Sequence, residues 1–539
     1  MKKSGSIFHI QTPGASWAIV AGVFACLALV MAAVCAEAPA QRGFRHRGAY
    51  LHGSWVMNYP FSTRTWERED FARAFRLLRG LGFDTVMIWP AQECAPIPLS
   101  AEDTQSLRKY RAVIEDAKST GLQCWITSAP SVIVKPGIRS TPWPQRSLYS
   151  WMDTVRLGDP QAGPAYLQHR AAVMRLFDNA DAFVVIDGDP GGYPGAPVDE
   201  YLRILKADRE VQPGMRVIPW IWSGWGRDYT KGGFWTQPIE SQVEATLQAL
   251  KSQPGKPWEI MPGRSHREGW ANGRKTVELA EKAGLIAQST IMCYEAIEFE
   301  PTPPAAVLQF DLIRAVLREE GRFAATARGV FGNTQQPVMV LPNMYYFARG
   351  SADLSYLNKP ETEVLTDLAR ELGGDPALLV PAWSCLKRSL EELPPDLARR
   401  VRSLKLTSQF AGNVPGGPAR YVAILGAQVE SRRKLLEAVA MQPRNLAEAA
   451  DSLAKGAAAL IEWWHVHRYV GPGLSSDPFQ WRFIHPSQTD LLKRHAKLCA
   501  AFGPEVVTTA AQKLSQQNVL PNDEARQRLA ELTGVKPRS

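Results

Sequence analysis

Cysteine is scarce in this sequence and never forms a C-x-x-C pair. Beyond residue 40 only Cys94, Cys124, Cys293, Cys385 and Cys499 remain, an odd number without metal-ligand spacing. This excludes a disulfide scaffold and a cysteine zinc module. Cys124 and Cys293 fall in apolar, strand-like runs, where a buried free thiol is ordinary. A Cys94–Cys124 bridge is the one pairing that neighbouring strand regions suggest. A P-loop, a G-x-S-x-G elbow and a glycine-rich phosphate turn after the first strand are all missing. Nucleotide binding and serine-triad chemistry therefore lack support, and no cofactor or bound metal is expected. Basic tracts with interleaved aromatics are missing too. The formal charge of +9 is spread along the chain, so nucleic acid is not an expected partner.

Long hydrophobic runs are rare, and the one that stands out lies near the start. Lys2 and Lys3 precede an apolar stretch from Trp17 to Val34, and Ala38 and Ala40 are placed as in an A-x-A cleavage site before Gln41. Basic start, apolar middle and small-residue exit are the three parts of a secretory signal. The expectation is an exported protein, periplasmic or extracellular, with 1–40 removed and no membrane association afterwards. Retained, the same run would anchor the chain in a membrane.

What is present is globular. The 539 residues are 45% hydrophobic and 21% charged, a length for two or three compact units. One unit recurs between about 50 and 350: amphipathic helix, glycine or short turn, apolar strand, then a loop rich in Trp, Pro or acid. The spacing predicts a helix over 66–79, with Phe71, Phe75 and Leu78 on one face and a stop near Gly80 and Gly82. Ser100 and Asp103 read as a capping box for the next helix. Strands are predicted over 54–57, 83–89, 123–127, 182–187, 216–222, 258–261 and 290–295, with the eighth at 329–332 or 338–341. They are continuous apolar runs, as in a parallel sheet covered on both faces. The predicted fold is α/β: a (β/α)8 TIM-like barrel over 41–355, then a mainly α-helical C-terminal domain over 356–539. An open doubly wound sheet is the competing arrangement.

Such barrels work at the carboxyl ends of their strands. Read in order, those ends give Asn58 and Tyr59; Trp89, Gln92 and Glu93; Ser128; Asp187, Asp189 and Tyr193; and Trp220, Trp222 and Trp225. The later ends give Arg264, His266 and Arg267; Tyr294, Glu295 and Glu298; and Asn333 with Gln335 and Gln336, or Asn343. Indole faces stack on sugar rings while amides and carboxylates bind hydroxyls, although tryptophan is also an ordinary core residue. Asp187 and Asp189 are two apart, on one face of an extended strand. Close carboxylates raise one another's proton affinity, so that one is protonated while its neighbour stays charged. Glycoside hydrolysis uses that division of labour. The plainer reading of Asp187-Gly188-Asp189-Pro190 is turn chemistry. Glu295 ends an apolar strand, where a charge needs a partner or a role; an ion pair with an arginine such as Arg264 is its structural alternative. Arg264 and His266 suit an acidic sugar, or simply a solvated loop. His465 and His467 would diverge by about 200° on a helix, which favours a structural role.

On these residues the chain resembles the secreted (β/α)8 glycoside hydrolases, over the barrel only. The resemblance rests on Trp89, on Asp187-Gly188-Asp189 ending strand four and on Tyr294-Glu295 ending strand seven. In the commonest clan, strand four ends in Asn-Glu, whose Glu is the acid, and a strand-seven Glu is the nucleophile. Glu295 matches the second place, and the Asn-Glu pair is absent. In chitinase-like and hexosaminidase-like groups an acidic pair ends strand four and the substrate's acetamido group is the nucleophile. Asp187 and Asp189 match that position, while the full D-x-x-D-x-D-x-E motif is absent. The helical C-terminal domain is similar to that of some hexosaminidases and α-glucuronidases. The resemblance implies a carbohydrate substrate, with Asp189 as general acid/base, Asp187 as its orienting partner and Glu295 as nucleophile or clamp. Trp89, Glu93, Tyr193, Trp222, Trp225, Arg264, His266, Tyr294 and Asn333 would contact substrate. Two other readings stand beside it: a non-catalytic carbohydrate-binding or envelope-associated barrel, and a metal-dependent hydrolase using the acids and His266.

Overall fold

Side chains specify where the barrel helices begin and end. Helix α1, Arg68–Leu81, opens with a capping box between Glu67 and Asp70 and stops at Gly82, whose φ of 98° suits glycine. It buries Phe71, Phe75 and Leu78, the face that the spacing predicts. Helix α2, Ala101–Ser119, starts at Ser100, whose hydroxyl accepts the Asp103 N–H. Asp103 is fully buried and also holds Arg146 at 2.6 Å, pinning a loop to this helix start. Helices α3, Ala162–Met174, and α4, Val198–Val211, follow the third and fourth barrel strands.

The computed structural model describes residues 43–53, 59–188, 192–222, 224–226, 240–255, 257–265, 275–298, 308–334, 337–386, 393–466 and 486–535. Eight parallel strands close into a barrel in chain order. They are β1 Arg47–Leu51, β2 Thr85–Ile88, β3 Gln123–Ser128 and β4 Ala182–Ile186. Then come β5 Arg216–Ile221, β6 Met261–Ser265, β7 Thr290–Tyr294 and β8 Gly329–Thr334. Closure is made by β1, whose Tyr50 lies opposite Met87 on β2 and Asn333 on β8. Strands β2, β4 and β7 are buried along their whole length, as parallel strands between two apolar layers must be.

Two strand assignments change and the eighth is decided. The segment 54–57 lies outside the described residues, and the first strand is Arg47–Leu51. The sixth is Met261–Ser265 rather than 258–261, which places Arg264 inside a strand instead of a loop. Of the two candidates for the eighth, Gly329–Thr334 pairs with both neighbours, while Leu341 begins a helix with proline in its first turn. Cys94 and Cys124 form no bridge, and the five cysteines among the described residues are buried free thiols.

After the barrel the chain is helical. One apolar core runs from Phe44 through the barrel to Val429 and takes in Trp463. A second gathers Leu453, Leu460, Leu492, Val507 and Leu529. Among the described residues no helix is long and apolar enough to cross a membrane.

Candidate active site

At the carboxyl end of the barrel, residues from β1, β2, β4, β5, β7 and β8 assemble in two lobes joined by a histidine. The first lobe follows β2. Ala91 takes a left-handed φ of 54° and starts the turn Gln92–Cys94, which brings Glu93 back toward Trp89. The Trp89 indole N–H donates to Glu93 at 2.8 Å, and the Ala129 N–H donates to its other oxygen at 2.7 Å. Two donors favour the charged carboxylate, but burial weighs more and pushes Glu93 up to about 7.

The second lobe spans β5, β7 and β8. Trp222 meets Tyr294 edge-on at 4.5 Å, and Trp220 lies 6.0 Å from both rings. Glu295 is 1% exposed and sits in the left-handed region at φ 64°, where non-glycine residues are uncommon. Its backbone N–H donates to the Asn333 side chain at 2.5 Å. The Asn333 Nδ2 and Trp220 Nε1 groups are buried donors without a partner among the described residues. Each such group costs roughly 1–3 kcal/mol if nothing accepts from it, so an acceptor from solvent or ligand is needed here. Close by, Thr334 donates to Glu298 at 2.9 Å.

His52, just past β1, joins the lobes. Its ring lies 5.2 Å from Trp89 and 6.5 Å from Tyr294, both edge-on. Burial holds it down to about 3, so it is neutral at ordinary pH. Because the first strand falls earlier than its apolar pattern suggests, sequence reasoning overlooks this residue.

Asp187 is fully buried and directs its carboxylate across the barrel end to the β5 turn. One oxygen accepts the Trp222 N–H at 2.6 Å and the other the Gly224 N–H at 3.0 Å. It therefore fixes the loop that carries Trp222. Trp225 belongs to the packing layer: it is 3% exposed and stacks on Tyr201 of α4 at 5.2 Å. Tyr193 donates to Glu200 at 3.1 Å beneath the Arg156 guanidinium. Asp189 and His266 lie outside the described residues, as does the side chain of Arg264. Asn343 instead braces the loop after β7, donating to the Ile297 carbonyl at 2.9 Å. Among the described residues no three His, Cys, Asp or Glu side chains form a metal-binding group.

Behind the Glu93 lobe lies a network that the sequence does not announce. Arg170 of α3 grips Asp208 of α4 through Nε at 2.8 Å and Nη2 at 2.7 Å, and its Nη2 also donates to Ser128 at 2.8 Å. Arg170 and Ser128 line the wall shared with Glu93 and Tyr166.

The two shifted groups make opposite demands on pH. Glu93 rises from 4.5 to about 7 on folding, so its contribution is complete below about pH 4.5 and lost as pH climbs through 7. His52 falls from 6.5 to about 3, so its contribution is complete above about pH 6.5 and lost as pH falls toward 3. Glu93→Gln should therefore gain stability relative to wild type as pH is raised from 4.5 to 7. Unfolding midpoints measured across that range test this, and a pH-independent difference would contradict it.

No protein-family model matches the sequence, and no curated protein matches it. Solved structures do. An O-GlcNAc hydrolase mutant of Thermobaculum terrenum is 11% identical, with 91% of this chain and 94% of that one covered at a TM-score of 0.40. A GH138 enzyme targeting pectin rhamnogalacturonan II is 10% identical, with 86% and 84% covered at 0.43. A Streptomyces plicatus β-hexosaminidase mutant, in complex with its product GlcNAc, is 9% identical, with 61% and 68% covered at 0.38. All three are glycoside hydrolases, but likeness at this level carries no argument about the reaction of this chain.

Proposed function

We propose that this chain is an exported glycoside hydrolase acting on a glycan at the carboxyl end of its barrel. The observation that carries the reading is the joint placement of carboxylates, ring faces and unpartnered buried donors. Glu93 accepts from Trp89, Glu295 follows Tyr294 and donates through its backbone to Asn333, and Glu298 accepts from Thr334, while Asn333 Nδ2 and Trp220 Nε1 have no acceptor among the described residues. Sugar hydroxyls supply such acceptors, and sugar C–H faces suit the rings.

In this reading Asp189 protonates the glycosidic oxygen as the bond to the anomeric carbon breaks. Glu295 opposes the positive charge developing there, as nucleophile or clamp. Asp187 is a positioning residue that holds the Trp222 turn. Arg264 and His266 are kept as contacts to an acidic sugar.

Asp189→Asn should lower turnover by about 10² to 10⁴ while leaving the unfolding midpoint in place. Steady-state kinetics on any glycoside that the wild type cleaves make the check. Undiminished turnover would remove Asp189 from the chemistry. Glycan affinity without any release of reducing sugar would favour a non-catalytic binding barrel instead.

A further inference from the structure

The opposite, amino end of the barrel holds a cavity of about 500 Å³. Trp125 and Phe331 line it, stacked 4.9 Å apart and 25° from parallel, closing the barrel interior beneath. Arg45, His46, Arg216 and Arg328 also line it, and no carboxylate is among its lining residues. Arg216 is held in place: it grips Glu259 at 2.5 Å, donates to Gln123 at 3.3 Å and lies over the Trp125 ring at 5.0 Å. Arg328 reaches the same Glu259 at 3.2 Å. Two guanidiniums thus share one carboxylate. His46 faces Asp84 at 3.7 Å, and Arg45 is exposed without an ion pair among the described residues.

Arg45, Arg216 and Arg328 set against Glu259 and Asp84 leave about one positive charge uncompensated, and a second when His46 is protonated. A dianion balances them, and a neutral sugar does not. Guanidinium groups suit phosphate oxygens in particular, because their forked donors match the spacing of two oxygens. The volume leaves room for the body of a small molecule beyond the phosphate. We propose that this amino-end bowl binds a phosphate monoester or related phosphate dianion, independently of whatever reaction occurs at the other end. The phosphate belongs either to a free metabolite or to a lipid headgroup.

Calorimetric titration of the full chain with inorganic pyrophosphate at low salt tests the free form, and co-sedimentation with phosphatidic acid vesicles tests the headgroup. Saturable binding of either probe is expected. Arg45→Ala/Arg328→Ala should weaken it by about tenfold or more, since each lost charge-assisted contact accounts for a sizeable share of affinity. Both side chains are exposed, so folding is not at stake. Vesicle pelleting without pyrophosphate binding, lost in the double variant, supports the proposal and assigns the headgroup. Failure of both probes, or equal binding by wild type and double variant, overturns it.

Discussion

Asp187→Ala should destabilise the barrel by about 3 kcal/mol and release the turn after β5, because one buried and one part-buried backbone N–H group lose their acceptors together. The carboxylate is fully buried, with one oxygen on the Trp222 N–H and the other on the Gly224 N–H. Asp187→Asn keeps the shape but offers one acceptor oxygen and turns an NH₂ group toward a donor, so it should recover only part of the loss. Hydrogen exchange over 216–226, read by mass spectrometry, should quicken in both variants, together with a lower urea midpoint. Unchanged exchange in the alanine variant would mean that the turn is held by something else. Because Trp222 rides on this turn, glycan turnover should fall in the same variants although Asp187 itself touches no substrate in this account.

The second large effect concerns the pair behind the Glu93 lobe. Asp208→Ala leaves the Arg170 guanidinium, 7% exposed, without the carboxylate that it grips. Breaking a buried pair from one side typically costs about 3–5 kcal/mol, since the remaining charge keeps its desolvation penalty. Replacing both partners, as Arg170→Met/Asp208→Leu, should cost clearly less than either single change. Urea unfolding of Arg170→Met, Asp208→Leu and the variant carrying both forms a double-mutant cycle. A loss in the double variant equal to the sum of the two single losses would show that the two side chains act independently. The double variant carries a further consequence: Arg170 draws the Glu93 proton affinity down, so its removal should extend the stability slope of Glu93 to higher pH.

Most of the barrel is legible in the sequence because its strands are short apolar runs that begin just past helix-ending turns, such as the one at Gly82. β1 is not legible. Its Arg-Gly-Ala-Tyr-Leu lacks an apolar run, because the Phe331 ring fills the space at Gly48: a Cβ there would lie 2.1 Å from it. Missing β1 also hides His52. β6 contains Pro262 and Gly263, residues that read as loop, and Gly263 is needed where the Trp220 indole approaches to 2.8 Å of a would-be Cβ. Arg170 and Asp208 sit on separate helices, and pairing across helices has no local signature. The acids and rings at strand ends are readable because topology alone brings strand ends together. Which of them point outward, as Trp222 does, and which pack inward, as Trp225 does, depends on tertiary neighbours.

The central claim, hydrolysis at the carboxyl end of the barrel, is tested most directly by reducing-sugar release from a panel of glycans. Wild type, Asp189→Asn, Glu295→Gln and the amino-end variant Arg45→Ala/Arg328→Ala would be assayed side by side. The account predicts release by wild type and by the amino-end variant, with loss of about 10² or more in the two carboxylate variants. Release at the wild-type rate by both carboxylate variants, or no release from any glycan by the wild type, would contradict it.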